Sequence, residues 1–349
     1  MNKGTSSAPA LSKQRVDYLD VARGIALICI ILGHFQSDDI NHVVYTFDVP
    51  LFFIISGYFL SEKSSIKQFV KRKFQTLIVP YLITSAIIVI LGTVKGFFSQ
   101  GSIIGPLKYW FFAALYGSGG DYGTPFKIYE IGPIWFLWAL FFSSILIRLL
   151  LKLDYRIRIL IVAAAFAAGY FSAKYLFWFP LSIQSGLCAS LFVYIGYLFK
   201  QNKDYIADLS TKVKVLSFIA AAVVWASFIV TFDTFWLVRC DFGRGLPDIC
   251  RSLCSCAAVF VISFLIDKYV KLLSKVLSLI GKNSIFILCA HAIEINLFPI
   301  QSILDLYLPA GNGGFRQTVL ILLDIAIVCG IGLMLSMLSL VRKAFGMKA

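Results

Sequence analysis

The chain has 349 residues, of which 59% are hydrophobic and only 14% charged, with a formal net charge of +14. A soluble domain carries about 25% charged residues, so this composition excludes one; recurrent apolar runs near 20 residues read as an all-α polytopic membrane protein. The basic excess lies in short patches between those runs, as topogenic charge does, which argues against a nucleic-acid partner.

In chain order, residues 1–15 read as a polar cytoplasmic tail without a small-residue cleavage site, so no cleaved signal peptide is expected. One membrane domain is expected over 16–342, followed by a short cytoplasmic tail at 343–349. About ten spans are predicted in a single bundle, near 16–36, 43–60, 77–95, 132–151, 157–176, 181–199, 213–232, 247–267, 283–300 and 318–341. With both termini in the cytoplasm, 23 lysines and arginines fall on that side and 7 on the other, the bias that fixes orientation. Most of the eight cysteines lie inside spans, and Cys250, Cys254 and Cys256 cluster in an apolar helix without histidines at metal-ligand spacing, so all read as small apolar core residues rather than a metal site or disulfide.

The first span, RVDYLDVARGIALICIILGHF, carries Arg23 and His34. Eleven helical steps return to within about 20° of one face and climb about 16 Å, so the two share a stripe. A cation and a titratable base in hydrocarbon are expensive, and together they point to a cavity rather than lipid. His34 is the candidate general base and Arg23 a candidate contact for an anionic substrate. Pairing of Arg23 with Asp20 at i−3 is the plainer alternative.

The second span, TFDVPLFFIISGYFL, places Asp48 near the same end as His34, where a carboxylate can orient an imidazole or simply sit in interfacial water. Residues 61–76 form a basic amphipathic stretch, in which Lys71, Arg72 and Lys73 can extend an anion site or serve only as topogenic charge. Residues 96–131 form the longest outward connection, with an aromatic patch, YWFFAALYG, suited to the membrane surface or a mouth. GPIWFLWALFF opens a helix with proline early and brings Trp135, a belt residue or a pocket wall. IGKNSIFILCAHAIEI carries His291 and Glu294 at i,i+3, expected as a second polar wall of the cavity.

These stretches together resemble the acyltransferase-3 family of integral membrane acyltransferases. YLDVARGIALICIILGHF is similar to the family's first helix, with a cation, ten residues and a histidine. VPLFFIISGYFL, FVKRKFQTLIVPY, GPIWFLWALFF and IGKNSIFILCAHA are similar to later segments, in the family's order. The resemblance implies transfer of an acyl group, usually acetyl, from cytoplasmic acyl-coenzyme A to a hydroxyl of a surface glycan or its lipid-linked precursor. It implies a multi-pass protein of a bacterial inner membrane, with acetyl-coenzyme A as donor, no metal, and membrane lipid as a further partner. On this carry-over His34 matches the essential histidine and Arg23 its paired cation. Two departures stand out. The family's basic segment often reads R-x-x-R, whereas Arg72 is followed by Gln75 and Thr76. Many relatives have a histidine just before the proline of the second helix, whereas here Asp48 stands two residues before Pro50. A glycan or lipid transporter with an intramembrane ionisable relay is the competing reading.

Overall fold

The computed structural model describes residues 17–35, 37–298, 300 and 313–347. The tail expected at 1–15 lies outside the described residues. Among them the secondary structure is helical, apart from isolated bridges within 118–130 and 236–241. In chain order the helices are α1 (Asp17–Gly33), α2 (Asp38–Val44), α3 (Asp48–Tyr58), α4 (Ile66–Lys73), α5 (Val79–Gln100), α6 (Ile104–Tyr116), α7 (Trp135–Leu150) and α8 (Tyr155–Tyr175). There follow α9 (Ile183–Gln201), α10 (Lys203–Asp208), α11 (Thr211–Val230), α12 (Leu246–Tyr269), α13 (Lys271–Lys282) and α14 (Ser284–Leu297). The last two are α15 (Gly313–Met337) and α16 (Ser339–Ala344).

Each of the ten expected apolar stretches corresponds to a helix. Among the described residues, seven helical segments are long and apolar enough to cross a membrane, and an eighth arises if α13 and α14, bent by 70°, are one span. α1 and α7 are shorter, with 17 and 16 residues. The expected span at 43–60 is broken at its start, since residues 45–47 separate α2 from α3. The connection expected at 268–282 is instead mostly the amphipathic helix α13, which buries Leu277 and Ile280 and exposes Lys275.

Burial separates centre from rim. Two thirds of the α9 span is buried (67%), whereas only 6% of the α11 span is, so α11 presents its apolar side chains to lipid. Glycines set the closest crossings. A Cβ on Gly24 would lie 2.1 Å from the Leu277 carbonyl oxygen, and one on Gly281 would lie 1.9 Å from that of Asp20. This reciprocal contact locks α1 against α13; Gly57 and Gly196 lock α3 against α9 in the same way.

The basic stretch at 61–76 is fixed from both ends. Ser65 caps α4 in a capping box with Gln68, and Phe69 is buried beneath it. The buried Arg148 donates from Nη2 to the carbonyl oxygens of Glu62 (3.0 Å) and Ser64 (2.8 Å). A π-helical turn, Phe74–Ile78, then carries α4 into α5 without a break.

Replacing Gly24 by Val should lower the thermal midpoint of the detergent-solubilised protein, since overpacking of this kind costs about 1–3 kcal/mol. Gly123→Ala, which adds a Cβ into open space, should leave the midpoint unchanged. Equal midpoints for Gly24→Val and the parent would show that the α1–α13 crossing is not a tight one.

Candidate functional site

Two cavities meet along α1. The first, of about 520 Å³, is lined by Arg23, Arg72, Lys73, Ser56 and Thr76 together with apolar side chains. The second, of about 290 Å³, is lined by His34, Asp48, Tyr45, Trp135, Glu130 and Arg239 among others. Ile30, Phe136 and Leu288 belong to both linings, so three apolar side chains separate a cationic chamber from one that holds an imidazole. Arg23, on α1, faces one cavity, and His34, just past the end of α1, faces the other.

Helix geometry explains the cationic end. Arg23 lies one turn after Asp20 and pairs with it, Nη1 to Oδ1, at 3.4 Å. Its guanidinium also lies 5.6 Å from the centroid of the Phe59 ring. Pairing with Asp20 and facing the cavity therefore coexist, because Asp20 lines the same cavity. Lys73 donates to Ser56 Oγ at 3.3 Å, which brings its ammonium across from α4 to α3. Lys71 is exposed and outside the lining. Of the basic cluster, Arg72 and Lys73 face the cavity.

The imidazole end is built from two distant helices. His34 follows the last turn of α1, and its Nδ1 lies 2.7 Å from the Ile30 carbonyl oxygen and 3.3 Å from His291 Nε2. The two rings meet edge to face, 4.9 Å between centroids. His291 Nδ1 in turn lies 3.0 Å from Glu294 Oε2. A carbonyl oxygen can only accept, so His34 Nδ1 carries the proton and His34 Nε2 holds the free lone pair. His291 Nε2 then receives the second, longer branch of that N–H, and its own Nδ1–H donates to the Glu294 carboxylate. Glu294 is held by the Ile300 amide, which donates to Oε1 at 3.1 Å. The result is a line from carboxylate to imidazole to imidazole, ending in a basic nitrogen.

Two expectations are corrected. His291 and Glu294 are not a wall of the cavity; His291 is only 2% exposed and stands behind His34. Asp48 shares the cavity with His34, but its Oδ1 accepts from the Val49 amide at 2.7 Å, and the carboxylate linked to His34 is that of Glu294. Trp135 is among the residues that line the His34 cavity.

Other wall residues escaped the sequence reading. Tyr45 Oη donates to the Gly33 carbonyl oxygen at 2.6 Å, which holds the turn that presents His34. Arg239 sits in a single 3-10 turn, Leu237–Arg239, that ends on Cys240 in the left-handed region, and it stacks 5.0 Å from the Trp236 ring centroid. Asn296 donates to the carbonyl oxygens of Ala292 (2.7 Å) and Ile131 (3.2 Å), tying α14 to the loop before α7. Glu130, in that loop, has its carboxyl pushed up from its ordinary value by burial and by Asp121, against the pull of Arg239. Among the described residues no group of three or more His, Cys, Asp or Glu side chains can hold a metal ion.

The family model described as "Acyltransferase domain" matches residues 16–340 of this chain. The chain is also similar to nodulation protein NolL of Mesorhizobium japonicum, with 31% identity over 215 residues. That alignment covers 57% of this chain and 52% of the relative, so the chain spans about half the length of the curated relative it matches. No solved structure matches it.

The three histidines of the chain, His34, His42 and His291, make the proton positions measurable. Nitrogen-15 spectra of histidine-labelled protein at neutral pH should show His34 and His291 both protonated at Nδ1 and bare at Nε2. Glu294→Gln should perturb the His291 signals more than those of His42. A His34 resonance protonated at Nε2 would break the assigned line.

Proposed function

The chain belongs to the acyltransferase-3 family, and on that footing we propose that it is a membrane O-acyltransferase that moves an acyl group, in the first place acetyl, from acyl-coenzyme A to a hydroxyl of a surface glycan or its lipid-linked precursor. The observation that carries the reading is the pair of adjoining cavities, cationic at one end and bearing a free imidazole nitrogen at the other. Coenzyme A has phosphates at one end and a thioester at the other. Arg23, Arg72 and Lys73 suit the phosphates through charge-assisted hydrogen bonds. The apolar contact of Ile30, Phe136 and Leu288 suits the arm that must pass from one cavity to the next. The strong basic bias of the Arg23 side supports a cytoplasmic position for it, on the side where acyl-coenzyme A is found, and the proposed setting is a bacterial inner membrane.

In the proposed reaction, His34 Nε2 takes the proton of the acceptor hydroxyl as its oxygen attacks the thioester carbonyl carbon. The carbon–sulfur bond breaks, and the imidazolium returns the proton to the departing thiolate. While charged, His34 is stabilised through Nδ1–H by His291 and Glu294, the arrangement by which a carboxylate supports a catalytic imidazole. The same nitrogen can instead take the acyl group first and pass it to the hydroxyl, a route that trapping of an acyl-enzyme distinguishes. Asp48 supports the reading as a polar wall near the reacting atoms, not as the partner of His34.

His34→Ala should insert and bind acetyl-coenzyme A normally while transfer to glycan acceptor falls by about a hundredfold or more. Turnover near the parent's in purified His34→Ala would remove the imidazole from the chemistry. Arg23→Ala should weaken acetyl-coenzyme A binding by about tenfold, and Arg23→Lys by less, because a point charge reproduces only part of a guanidinium fork. Calorimetry that finds the same donor affinity in all three proteins would leave Arg23 only its pairing with Asp20.

A further inference from the structure

On the side away from the cationic chamber, the His34 cavity adjoins another. Ile295 and Asn296 in its wall also line a third cavity, of about 630 Å³, between the end of α5 and the start of α6. That space carries polar groups: Lys95, Ser99 and Asn296 beside Tyr109 and Tyr129. Gly105, Tyr109 and Tyr129 in turn line a fourth, of about 590 Å³, which opens along α6 and is walled by Phe112, Leu115 and Phe126, with Lys108 and Lys127 beside them. From His34 outward the lining thus runs from polar to aromatic to apolar.

Local structure makes this groove. Gly92 and Gly96 leave the α5 surface bare where Trp110 and Pro106 approach, so α6 crosses close against the end of α5. The opposite face of α6 stays bare: Ile104, Leu107, Phe111, Phe112 and Leu115 are all exposed, as on a helix lying against lipid. The paired rings of Tyr109 and Tyr129, with centroids 4.4 Å apart, form the step between the two outer cavities. Lys127 lies 5.1 Å from the Tyr129 ring centroid. Neither outer cavity is lined by an acidic residue among the described ones, although both contain lysine. Asp121 and Glu130 are the nearby acids that act on Tyr109, and of these Glu130 faces the His34 cavity.

An apolar trough beside lipid, two lysines, an aromatic step and a polar chamber next to the one that holds a base match the parts of one kind of molecule in order. We infer that this groove seats a phosphate-bearing glycolipid as acceptor, entering sideways from the membrane, an assignment that rests on the acyltransferase reading only for what happens at His34. The lipid chain lies along Phe112, Leu115 and Phe126. Lys108 and Lys127 hold the phosphate by charge-assisted hydrogen bonds. The sugar passes Tyr109 and Tyr129, where its apolar face meets aromatic rings, and turns its hydroxyl past Asn296 toward His34. A water-soluble glycan would leave the trough empty, and a plain phospholipid would leave the polar chamber empty.

The test uses full-length protein in phosphatidylcholine nanodiscs without any acyl donor, and a fluorescent farnesyl-diphosphoryl N-acetylglucosamine as probe. The probe should bind, and the unlabelled form of the same glycolipid should displace it at lower concentration than farnesyl diphosphate, free N-acetylglucosamine or phosphatidylglycerol does. K108Q/K127Q should weaken the probe about tenfold, the loss of two phosphate contacts on exposed side chains, and K108R/K127R should restore most of it. Acetyl-coenzyme A binding should be the same in all three proteins. No binding of the probe, equal binding by K108Q/K127Q, or displacement as effective by phosphatidylglycerol or free sugar would each overturn the assignment. If the probe behaves as expected while acetyl transfer is absent, the groove stands and the acyltransferase reading falls.

Discussion

The site depends on how closely α1 lies against α13. Reciprocal glycines, Gly24 and Gly281, bring backbone to backbone, and no larger residue fits between them. That contact fixes the depth and rotation of α1, which decides where both Arg23 and His34 point. It also fixes the course of the chain beyond α13. The backbone bends by 70° at Asn283 into α14, and the bend swings His291 to the end of α1, where it meets His34. One crossing therefore sets the cation, the base and the partner of the base.

Ionisable groups in hydrocarbon are tolerated only with partners or water, and each of these has one. Arg23 has Asp20 and an aromatic face; Lys73 has Ser56; His34 has Ile30 and His291; Glu294 has a backbone amide. The partners are polar, yet the boundary between the two cavities is apolar. Ile30, Phe136 and Leu288 separate the charged chamber from the imidazole. The guanidinium's field is kept off the lone pair by distance along the helix, about 16 Å at 1.5 Å per residue.

Much of this was legible in the sequence because it is local. The Arg23–His34 stripe follows from helical periodicity alone, and the basic amphipathic character of the segment before α5 follows from its charge pattern, whereas its Ser65 cap was not read. His291 and Glu294 were recognisable as a pair, being three residues apart. Their partner was not, because His34 lies 257 residues away and only the α13–α14 bend brings it near. Asp48 illustrates the converse. A short connection places it near His34, and proximity in sequence suggested a bond that the backbone of α3 takes instead, through the Val49 amide. Arg239 and Asn296 gave no signal, since a loop arginine reads as surface charge and a helical asparagine as indifferent. Each acquires its place only through contacts with other segments.

The order of cavities also bears on how two unlike substrates can react without water intervening. On the proposed function the donor comes through a cationic mouth and the acceptor from the far side of His34, so neither has to leave for the other to enter. Chambers that adjoin beside His34 favour a complex of both substrates over a shared, alternately occupied pocket. The reacting atoms are then aligned by two separate anchors, phosphates on Arg23, Arg72 and Lys73 at one end and the glycolipid's own phosphate on Lys108 and Lys127 at the other. Fixing both ends turns an encounter of two flexible molecules into an effectively intramolecular step, which can remove up to about 7–11 kcal/mol of barrier. The imidazole need then supply only proton transfer, a task for which a single free Nε2, oriented from behind by His291 and Glu294, is sufficient.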